Sequence, residues 1–412
     1  MVPVALLGAL LIGAGLTVAA FARGSAKKSQ SRRRASFRDT YRYAARAAEP
    51  STPVRYNPSI EQIDQDEDET IATLVSLMKG INETTFKDYG RSVRSSHAKS
   101  CGLLQGTLRV LDGLPDMLSQ GMFAKPGTYP VVMRLSTQPG DMLDDSVSCP
   151  RAIALKIIGV EGERLPGSER QVTQDFIMQN APVFQAKDAK TFVNHLRMIA
   201  PTADTGQAWK KAFSTVMRGA EAALESVGGE SGVLKALGGE PMTHLLGDTY
   251  YTQVPLLYGS YMAKVSFAPL SWELVDLIGT PLDVRGKPNG LRDAVIDFFR
   301  AHAGEWELRV QLCTDLNTMP IEDSAVRWPE DQSPYIPVAR ITVPPQVAWS
   351  EDRSAAVDDG MAFNAWHGLA AHRPLGSIMR ARKAAYAMSA TFRQTHNKQM
   401  IEEPRTAQRL PN

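Results

Sequence analysis

The segment that most constrains this fold is a run of helix-forming residues at 374–398, PLGSIMRARKAAYAMSATFRQTHNK. A proline and a glycine open the run, and Ala, Arg, Lys and Met fill it, which predicts a helix. Its apolar residues form a stripe suited to packing against a larger body. At about 100° per residue, one narrow polar face beside that stripe collects Arg382, Tyr386, Ser389 and Arg393.

The tyrosine between two arginines on this face allows two interpretations. It can belong to a surface trio whose long side chains reach solvent. Alternatively, it can be a phenolate, although free tyrosine ionises only near about pH 10 and needs a cation or a metal beside it to ionise at neutral pH. A buried phenolate is a hard anionic ligand suited to ferric iron, so the rest of the chain decides between the two.

The composition is that of a soluble globular enzyme. Of 412 residues, 43% are hydrophobic and 22% are charged, which is enough for one large domain or two modest ones. A net charge of +2 predicts no general affinity for nucleic acid. Three cysteines are too few and too scattered for a disulfide framework or a zinc site: Cys101, Cys149 and Cys313.

Residues 1–22 form a hydrophobic segment that a basic segment follows. Residues 2–21 carry no charge and are numerous enough for a transmembrane helix. Positive charge after the apolar run predicts an uncleaved membrane anchor with the catalytic body in the cytoplasm. A cleaved signal segment with export to the periplasm is the alternative. Residues 23–59 then predict a basic, flexible tether, with the folded unit beginning near residue 60.

Three segments carry polar residues of catalytic type beside predicted strands. His97, taken alone, fits a satisfied surface or core histidine as well as a catalyst. Period two places Arg134 and Ser136 on one strand face, where the arginine needs an anion, which a sheet-edge salt bridge would also supply. The third segment ends in a turn with two carboxamides, which often bond only the backbone. The segments are RSSHAK at 94–99, YPVVMRLST at 129–137 and DFIMQNAPVF at 175–184.

Together with RKAAYAMSATFR at 382–393, these segments resemble the haem catalase family, specifically its short catalase-related branch without the C-terminal flavodoxin-like domain. The resemblance implies an α+β fold with a catalase-like antiparallel β-barrel and surrounding helices, preceded here by an N-terminal hydrophobic helix. It implies haem b, an iron cofactor, inside the barrel. Residues 60–398 would form the haem domain and 399–412 a C-terminal tail, with a helical insert at 191–237.

The resemblance also implies a role for each residue of the site. His97 would be the distal acid and base, oriented by the Ser136 hydroxyl and assisted by a carboxamide from Gln179 or Asn180. Around the haem, the match assigns Tyr386 as the axial iron ligand, Arg382 as its charge partner, Arg94, Arg134 and Arg393 as propionate contacts, and Phe192 as a residue packed over the ring or in the plain core.

Two further features qualify the match. Gln179 stands where the family has an asparagine, and Ser96 stands where it has an apolar residue. His367 and His372 lie five residues apart without an accompanying carboxylate, so they do not predict a metal site. His367 would line the haem edge or cap the barrel.

The implied function is a haem-dependent oxidoreductase of catalase or peroxidase type, acting on hydrogen peroxide or an organic hydroperoxide. One alternative is rearrangement of organic or lipid hydroperoxides, as allene oxide synthases of this family perform, and the predicted membrane anchor would suit a lipid substrate. Another is a haem-binding or sensing protein without turnover. The sequence leaves open the physiological peroxide, the electron donor and assembly into a homo-oligomer.

Overall fold

The described part of the chain contains nine β-strands and six α-helices. The structure is a computed structural model that describes residues 52–199, 242–407 and 409–412. The strands are β1 (Ser100–Val110), β2 (Thr128–Thr137), β3 (Arg151–Ile158), β4 (Thr173–Gln179), β5 (Tyr250–Tyr251), β6 (Leu256–Tyr258), β7 (Tyr261–Pro269), β8 (Gly304–Leu312) and β9 (Ile336–Val343). The α-helices are α1 (Glu67–Tyr89), α2 (Ala189–Ile199), α3 (Trp272–Val275), α4 (Gly290–Ala301), α5 (Glu351–Ser354) and α6 (Ser377–Asn397).

Eight of these strands close into an antiparallel barrel. They follow one another in the order β1, β2, β3, β4, β5, β7, β8 and β9, and β9 pairs back with β1, while β6 extends from β7. The closure rests on the short strand β5, since Tyr251 pairs with both Gln179 of β4 and Ser266 of β7. The predicted α+β fold, with an antiparallel barrel and surrounding helices, is confirmed.

Apolar side chains fill the inside of the barrel. Alternation along β2 turns Val131, Met133 and Leu135 inward, where they join one buried cluster with residues from the other long strands. An eight-stranded barrel is just wide enough for such a filling. In the part of the chain that the structure describes, the interior is therefore a packed core, and the expectation of a cofactor inside the barrel is wrong.

Helices and the segment after α5 cover the outer face of β2, β3 and β4. Helix α6 forms within the segment 374–398 as predicted, and its apolar stripe packs with α1 and α2 through Leu74, Ala189, Val193, Ala381 and Ala385. Phe363 packs against Val132 and Ala154 of the outer strand face. The candidate site lies between these two layers.

Both ends of the described body extend beyond the predicted boundaries. The Val54 N–H donates to the Cys313 carbonyl at 2.8 Å, although residues 23–59 were expected to be a tether. Leu410 is buried, although residues 399–412 were expected to be a tail. Neither segment has a periodic pattern, so their packing on the barrel depends on distant partners that local sequence does not reveal.

Several predicted elements lie outside the described residues. Helix α2 covers the start of the insert expected at 191–237, and the remainder lies outside the described residues. The hydrophobic segment 1–22 also lies outside, so the membrane anchor stays a prediction. Among the helices that the structure describes, none has the length and apolar character needed to cross a bilayer.

Candidate cofactor site

A cavity lies between the outer face of β2–β4 and the helices α1 and α6. The volume of this cavity that the centre of a water molecule can occupy is ≈ 190 Å³. A single buried water molecule needs about 10–15 Å³ of such volume. The cavity is therefore large enough for a ligand. Of the predicted site residues, only Asn180 is not in its lining, which includes Arg94, His97, Arg134, Ser136, Gln179, Phe192, Arg382, Tyr386 and Arg393.

His97 reaches this cavity from the turn before β1, in an unusual backbone conformation. Its φ is 58°, in the left-handed region that residues with a Cβ rarely adopt. Two backbone contacts hold it there. Its N–H donates to the Gln138 carbonyl at 2.8 Å, and its carbonyl accepts from Arg134 at 2.8 Å. Such strain persists only where the surroundings fix it, and it often marks a functional site.

The imidazole of His97 contacts the carboxamide of Gln179. The two Nε2 atoms lie 3.2 Å apart, and an amide nitrogen can only donate, so Nε2 of His97 is the accepting, unprotonated nitrogen. No side chain among the described residues bonds Nδ1, and the backbone of Thr137 is the polar group that acts on the ring from the strand. Ser136 thus lines the cavity without making the orienting contact with the imidazole that the resemblance implied.

The surroundings of His97 oppose protonation of its ring. Burial lowers the pKa of the imidazole to about 3, and the positive charges of Arg134, Arg382 and Arg94 contribute to the same shift. A ring with this pKa is neutral at pH 7. Its one unprotonated nitrogen, Nε2, faces the Gln179 amide at the cavity wall, which makes it the atom of this ring that could exchange a proton with a bound molecule.

The two carboxamides after β4 have different environments. Gln179 faces His97, as described above. Asn180 accepts instead from the Arg151 N–H at 2.9 Å and donates to Asp248 at 3.4 Å. Asn180 therefore stabilises the turn, and Gln179 is the carboxamide of the cavity.

Helix α6 supplies a tyrosine hydroxyl that an arginine contacts from one turn away. A terminal nitrogen of Arg382 donates to the Tyr386 hydroxyl, and the guanidinium carbon lies 5.2 Å from the ring centroid. Both side chains are half-buried and line the cavity, unlike a solvent-exposed trio. A tyrosine oxygen that lines a cavity and is oriented by an arginine has the geometry of an oxygen ligand supported by a neighbouring side chain.

The three arginines assigned to propionates converge on one residue, Asp358, that the sequence did not reveal. Asp358 is buried on a π-helical turn, Ala355–Asp359. Its Oδ1 accepts from Arg134 at 2.6 Å and from Arg94 at 3.1 Å, and its backbone carbonyl accepts from Arg393 at 2.6 Å. No motif surrounds Asp358, and it lies 224 residues from Arg134, so no local signal could have identified it.

The charges in this arginine cluster do not balance. Burial acts to raise the pKa of Asp358, but the charges of Arg134 and Arg94 outweigh it and hold that pKa well below its usual value. Burial lowers the pKa of Arg393 to about 10. Asp359 also acts on Arg94 and Arg393, and it pairs with Arg91 at 3.3 Å. Four guanidinium groups thus face two carboxylates, which leaves two positive charges in excess beside the cavity.

A second buried charge cluster borders the cavity at His367. Lys156 and Asp175 are fully buried with Nζ and Oδ2 2.7 Å apart, and Glu403 joins Lys156. His367 lies 3.7 Å from each carboxylate. A histidine and two carboxylates do meet here, contrary to the sequence expectation, but the ammonium group of Lys156 already binds both carboxylates. The geometry therefore favours an ion cluster over a metal site.

The polarity, the charge and the ligand types of the cavity lining fit haem b. Most of the wall is apolar, and the Phe192 ring packs edge-on against Phe184 with centroids 5.0 Å apart. Two excess positive charges match two propionates, whose burial is costly unless they are paired, and Nε of Arg393 is buried without a partner among the described residues. A tyrosine oxygen such as that of Tyr386 is one of the known axial ligands of haem iron.

The fold around this site is catalase-like. It is similar to that of a fungal catalase, with a TM-score of 0.53 and 19% identity, covering 85% of this chain and 67% of that one. Catalase A from Saccharomyces cerevisiae gives 0.53 and 19%, with 84% and 68% covered, and a bacterial catalase gives 0.51 and 15%, with 83% and 63% covered. No family model and no curated protein sequence matches the chain. Structural similarity at such low sequence identity shows the fold alone. The function must therefore be argued from the site.

Proposed function

We propose that this protein is a haem-dependent oxidoreductase that acts on peroxides. One observation carries the proposal. A neutral imidazole with a carboxamide beside it and a tyrosine oxygen held by an arginine line the same cavity. The catalase-like fold supports the proposal. The proposed cofactor is haem b, and the proposed substrate is hydrogen peroxide or an organic hydroperoxide.

Helix α6 and the arginine cluster would hold the cofactor. Tyr386 would bind the iron, and Arg382 would stabilise the negative charge on the tyrosine oxygen. The propionates would be balanced by Arg94, Arg134 and Arg393. Bound haem would supply the redox-active iron to which a peroxide oxygen can bind.

His97 and Gln179 would handle the proton of the peroxide. Nε2 of His97 is the unprotonated nitrogen. Once the Gln179 amide turns from Nε2 to a bound peroxide, Nε2 could take the proton from one peroxide oxygen and return it to the other, which leaves as water or as an alcohol. The amide of Gln179, next to that nitrogen, can donate to a peroxide oxygen and stabilise the charge that develops when the O–O bond breaks.

A second candidate function is the rearrangement of organic or lipid hydroperoxides. It is favoured by the bulky apolar side chains in the cavity wall, which suit an acyl chain better than they suit hydrogen peroxide: Leu74, Met78, Phe184, Phe192 and Phe363. Oxygen release from hydrogen peroxide by the haem-loaded protein would support dismutation. Consumption of a fatty-acid hydroperoxide without oxygen release or an electron donor would support rearrangement, and inertness toward both would support a haem-binding or sensing role.

Replacement of Tyr386 by Phe tests the axial ligand. Titration of the purified chain with ferric haem should give one haem per chain, and Tyr386→Phe should lose the absorption bands of a ferric phenolate, because the only proposed anionic oxygen ligand is removed. Tyr89→Phe is the matched control, since Tyr89 is exposed and bonded to Asp141. A Tyr386→Phe spectrum equal to that of the wild type would refute the assignment.

Replacement of His97 by Ala tests the proposed acid and base. The variant should still bind haem, since His97 supplies none of the proposed cofactor contacts. Its peroxide turnover should fall by about 10²–10⁴, the usual contribution of a positioned proton-transfer group. Steady-state kinetics per bound haem measures the effect, and unchanged turnover would exclude His97 from the chemistry.

A further inference from the structure

The buried carboxylate behind the cavity has no part in the chemistry proposed so far. We propose that Asp358 is a positioning residue, which fixes Arg134 and through Arg134 fixes the backbone of His97. The inference rests on the proposed function, because it concerns where the catalytic imidazole is held. It assigns to Asp358 a geometric role in addition to that of a counter-ion.

Arg134 connects the carboxylate to His97 through a single rigid group. Its Nε donates to Asp358 at 2.6 Å, and one terminal nitrogen donates to the carbonyls of His97 at 2.8 Å and Ala98 at 3.1 Å. A guanidinium group is planar with donors in fixed directions, so the position of Nε on the carboxylate determines where the terminal nitrogen points. Arg134 is buried, so solvent does not compete for these donors.

The strained conformation of His97 makes this contact matter. A residue with a Cβ stays in the left-handed region only when its neighbours over-determine it. The Gln138 carbonyl fixes the His97 N–H, and Arg134 fixes its carbonyl on the other side of the Cα. Loss of the second contact would let the peptide unit relax and move the imidazole away from Gln179.

Asp358 itself is held in one orientation. Its Oδ1 faces Arg134 and Arg94, and its Oδ2 accepts from Ser100 at 2.7 Å and from Ser354 at 2.8 Å. A counter-ion needs only charge, whereas a positioning residue needs a fixed direction, which these four donors provide. The π-helical turn that carries Asp358 is of a rare kind that occurs frequently at functional sites.

The association rate of cyanide with the haem-loaded ferric protein tests the proposal. Cyanide enters as hydrogen cyanide and must give its proton to a base as it binds the iron, so the rate reports the position of His97. Asp358→Asn should slow association about tenfold or more, toward the rate of His97→Ala. Its Tyr386-dependent spectrum should stay that of the wild type, which a general loss of structure would not allow.

Asp359→Asn is the matched control. It makes the same change one residue later, on a side chain that pairs with Arg91, and it should leave the cyanide rate unchanged. Equal rates for Asp358→Asn and the wild type would overturn the proposal, and so would equal slowing by the two variants. A wild-type chain that binds no haem would contradict the proposed function instead, so the two failures are distinguishable.

A second variant covers the case in which Asp358→Asn does not fold. Thermal unfolding of the cofactor-free protein identifies that case. Arg134→Lys keeps the positive charge, but an ammonium group lacks the fixed planar donors that join Asp358 to the His97 carbonyl. At saturating haem it should show the same slowing as expected for Asp358→Asn, and a wild-type rate would overturn the proposal.

Discussion

The contact between Gln179 and His97 determines which imidazole nitrogen can act as a base. The amide donates to Nε2, so the ring proton belongs on Nδ1, and the lone pair of Nε2 faces the carboxamide. Asn180 cannot take over this contact, because Arg151 and Asp248 hold its side chain. We therefore expect peroxide turnover to depend on Gln179 and not on Asn180.

Replacement of Gln179 by Leu should lower peroxide turnover per bound haem by about 100-fold, the typical effect of losing one preorganised donor. Haem binding should be retained, because Gln179 supplies no proposed cofactor contact. Asn180→Ala is the comparison. It should lower the thermal stability through loss of the turn contacts and leave the turnover per haem nearly unchanged. The reverse pattern in steady-state kinetics would show that the wrong carboxamide is assigned.

Among single residues, the sequence predicted the arginines of the cavity better than it predicted Asp358, which they contact. Arg94, Arg134 and Arg393 line one cavity, as expected of cations on largely apolar elements that need an anion. That anion includes Asp358, which comes from a separate turn and is recognisable only in three dimensions. The hydroxyl of Ser136 shares the cavity but not the expected bond, because period two determines a strand face and not the reach of a short side chain.

Arg380, near the start of helix α6, holds this helix in place. Arg380 contacts Glu61 at 3.0 Å, Glu67 at 2.7 Å and Glu322 at 3.0 Å. The three carboxylates come from separate segments of the chain, so one guanidinium group ties all three to the helix that carries Tyr386. All four side chains are largely buried. Solvent screens ion pairs in such positions less than it screens ion pairs at the surface.

Replacement of Arg380 by Met should lower the free energy of unfolding by about 3 kcal/mol, because the carboxylates would lose their cation in a largely buried position. Chemical denaturation of the cofactor-free protein measures the change. Arg300→Met is the control, since the Arg300 and Asp297 side chains are 71% and 67% exposed and such pairs contribute little. Equal effects of the two replacements would contradict the structural role of Arg380.

The helices and strands themselves were predictable from the sequence. Which face of a strand turns toward the barrel interior was not. Alternation correctly separated Arg134 and Ser136 from Val131 and Met133 on the two faces of β2. Both faces are covered, one by the opposite strands and one by helices, so the pattern could not show which face turns inward. The packing of α1, α2 and α6 on the outer face decides it, and that packing joins residues far apart in the chain.

Across the whole molecule, buried histidines outside the cavity couple stability to pH. Burial lowers the pKa of His372 to about 4, and burial together with the charge of Arg151 lowers the pKa of His244 to about 4. In the unfolded chain a histidine has a pKa near about 6.5. Between pH 6.5 and 4 the unfolded chain therefore binds protons that the folded chain does not, and stability falls as the pH falls.

Each such histidine should contribute about 1.4 kcal/mol per pH unit to this loss. His244→Asn should reduce the slope by about that amount, while asparagine keeps an acceptor for the Leu246 N–H at the start of the short helix there. Denaturant unfolding of the cofactor-free protein at pH 7, 6 and 5 measures the slope. An unchanged slope in His244→Asn would show that His244 is not neutral in the folded chain.

The cavity walls are drawn from almost the entire length of the body, from Leu74 to Arg393. During translation, the turn that carries His97, the proposed acid and base, emerges long before the helix that carries the proposed iron ligand. A ribosome-bound intermediate could thus form part of the pocket but could not hold the proposed cofactor on both faces. Loading of the proposed cofactor would therefore follow synthesis of helix α6, and the first steps of folding would not depend on it.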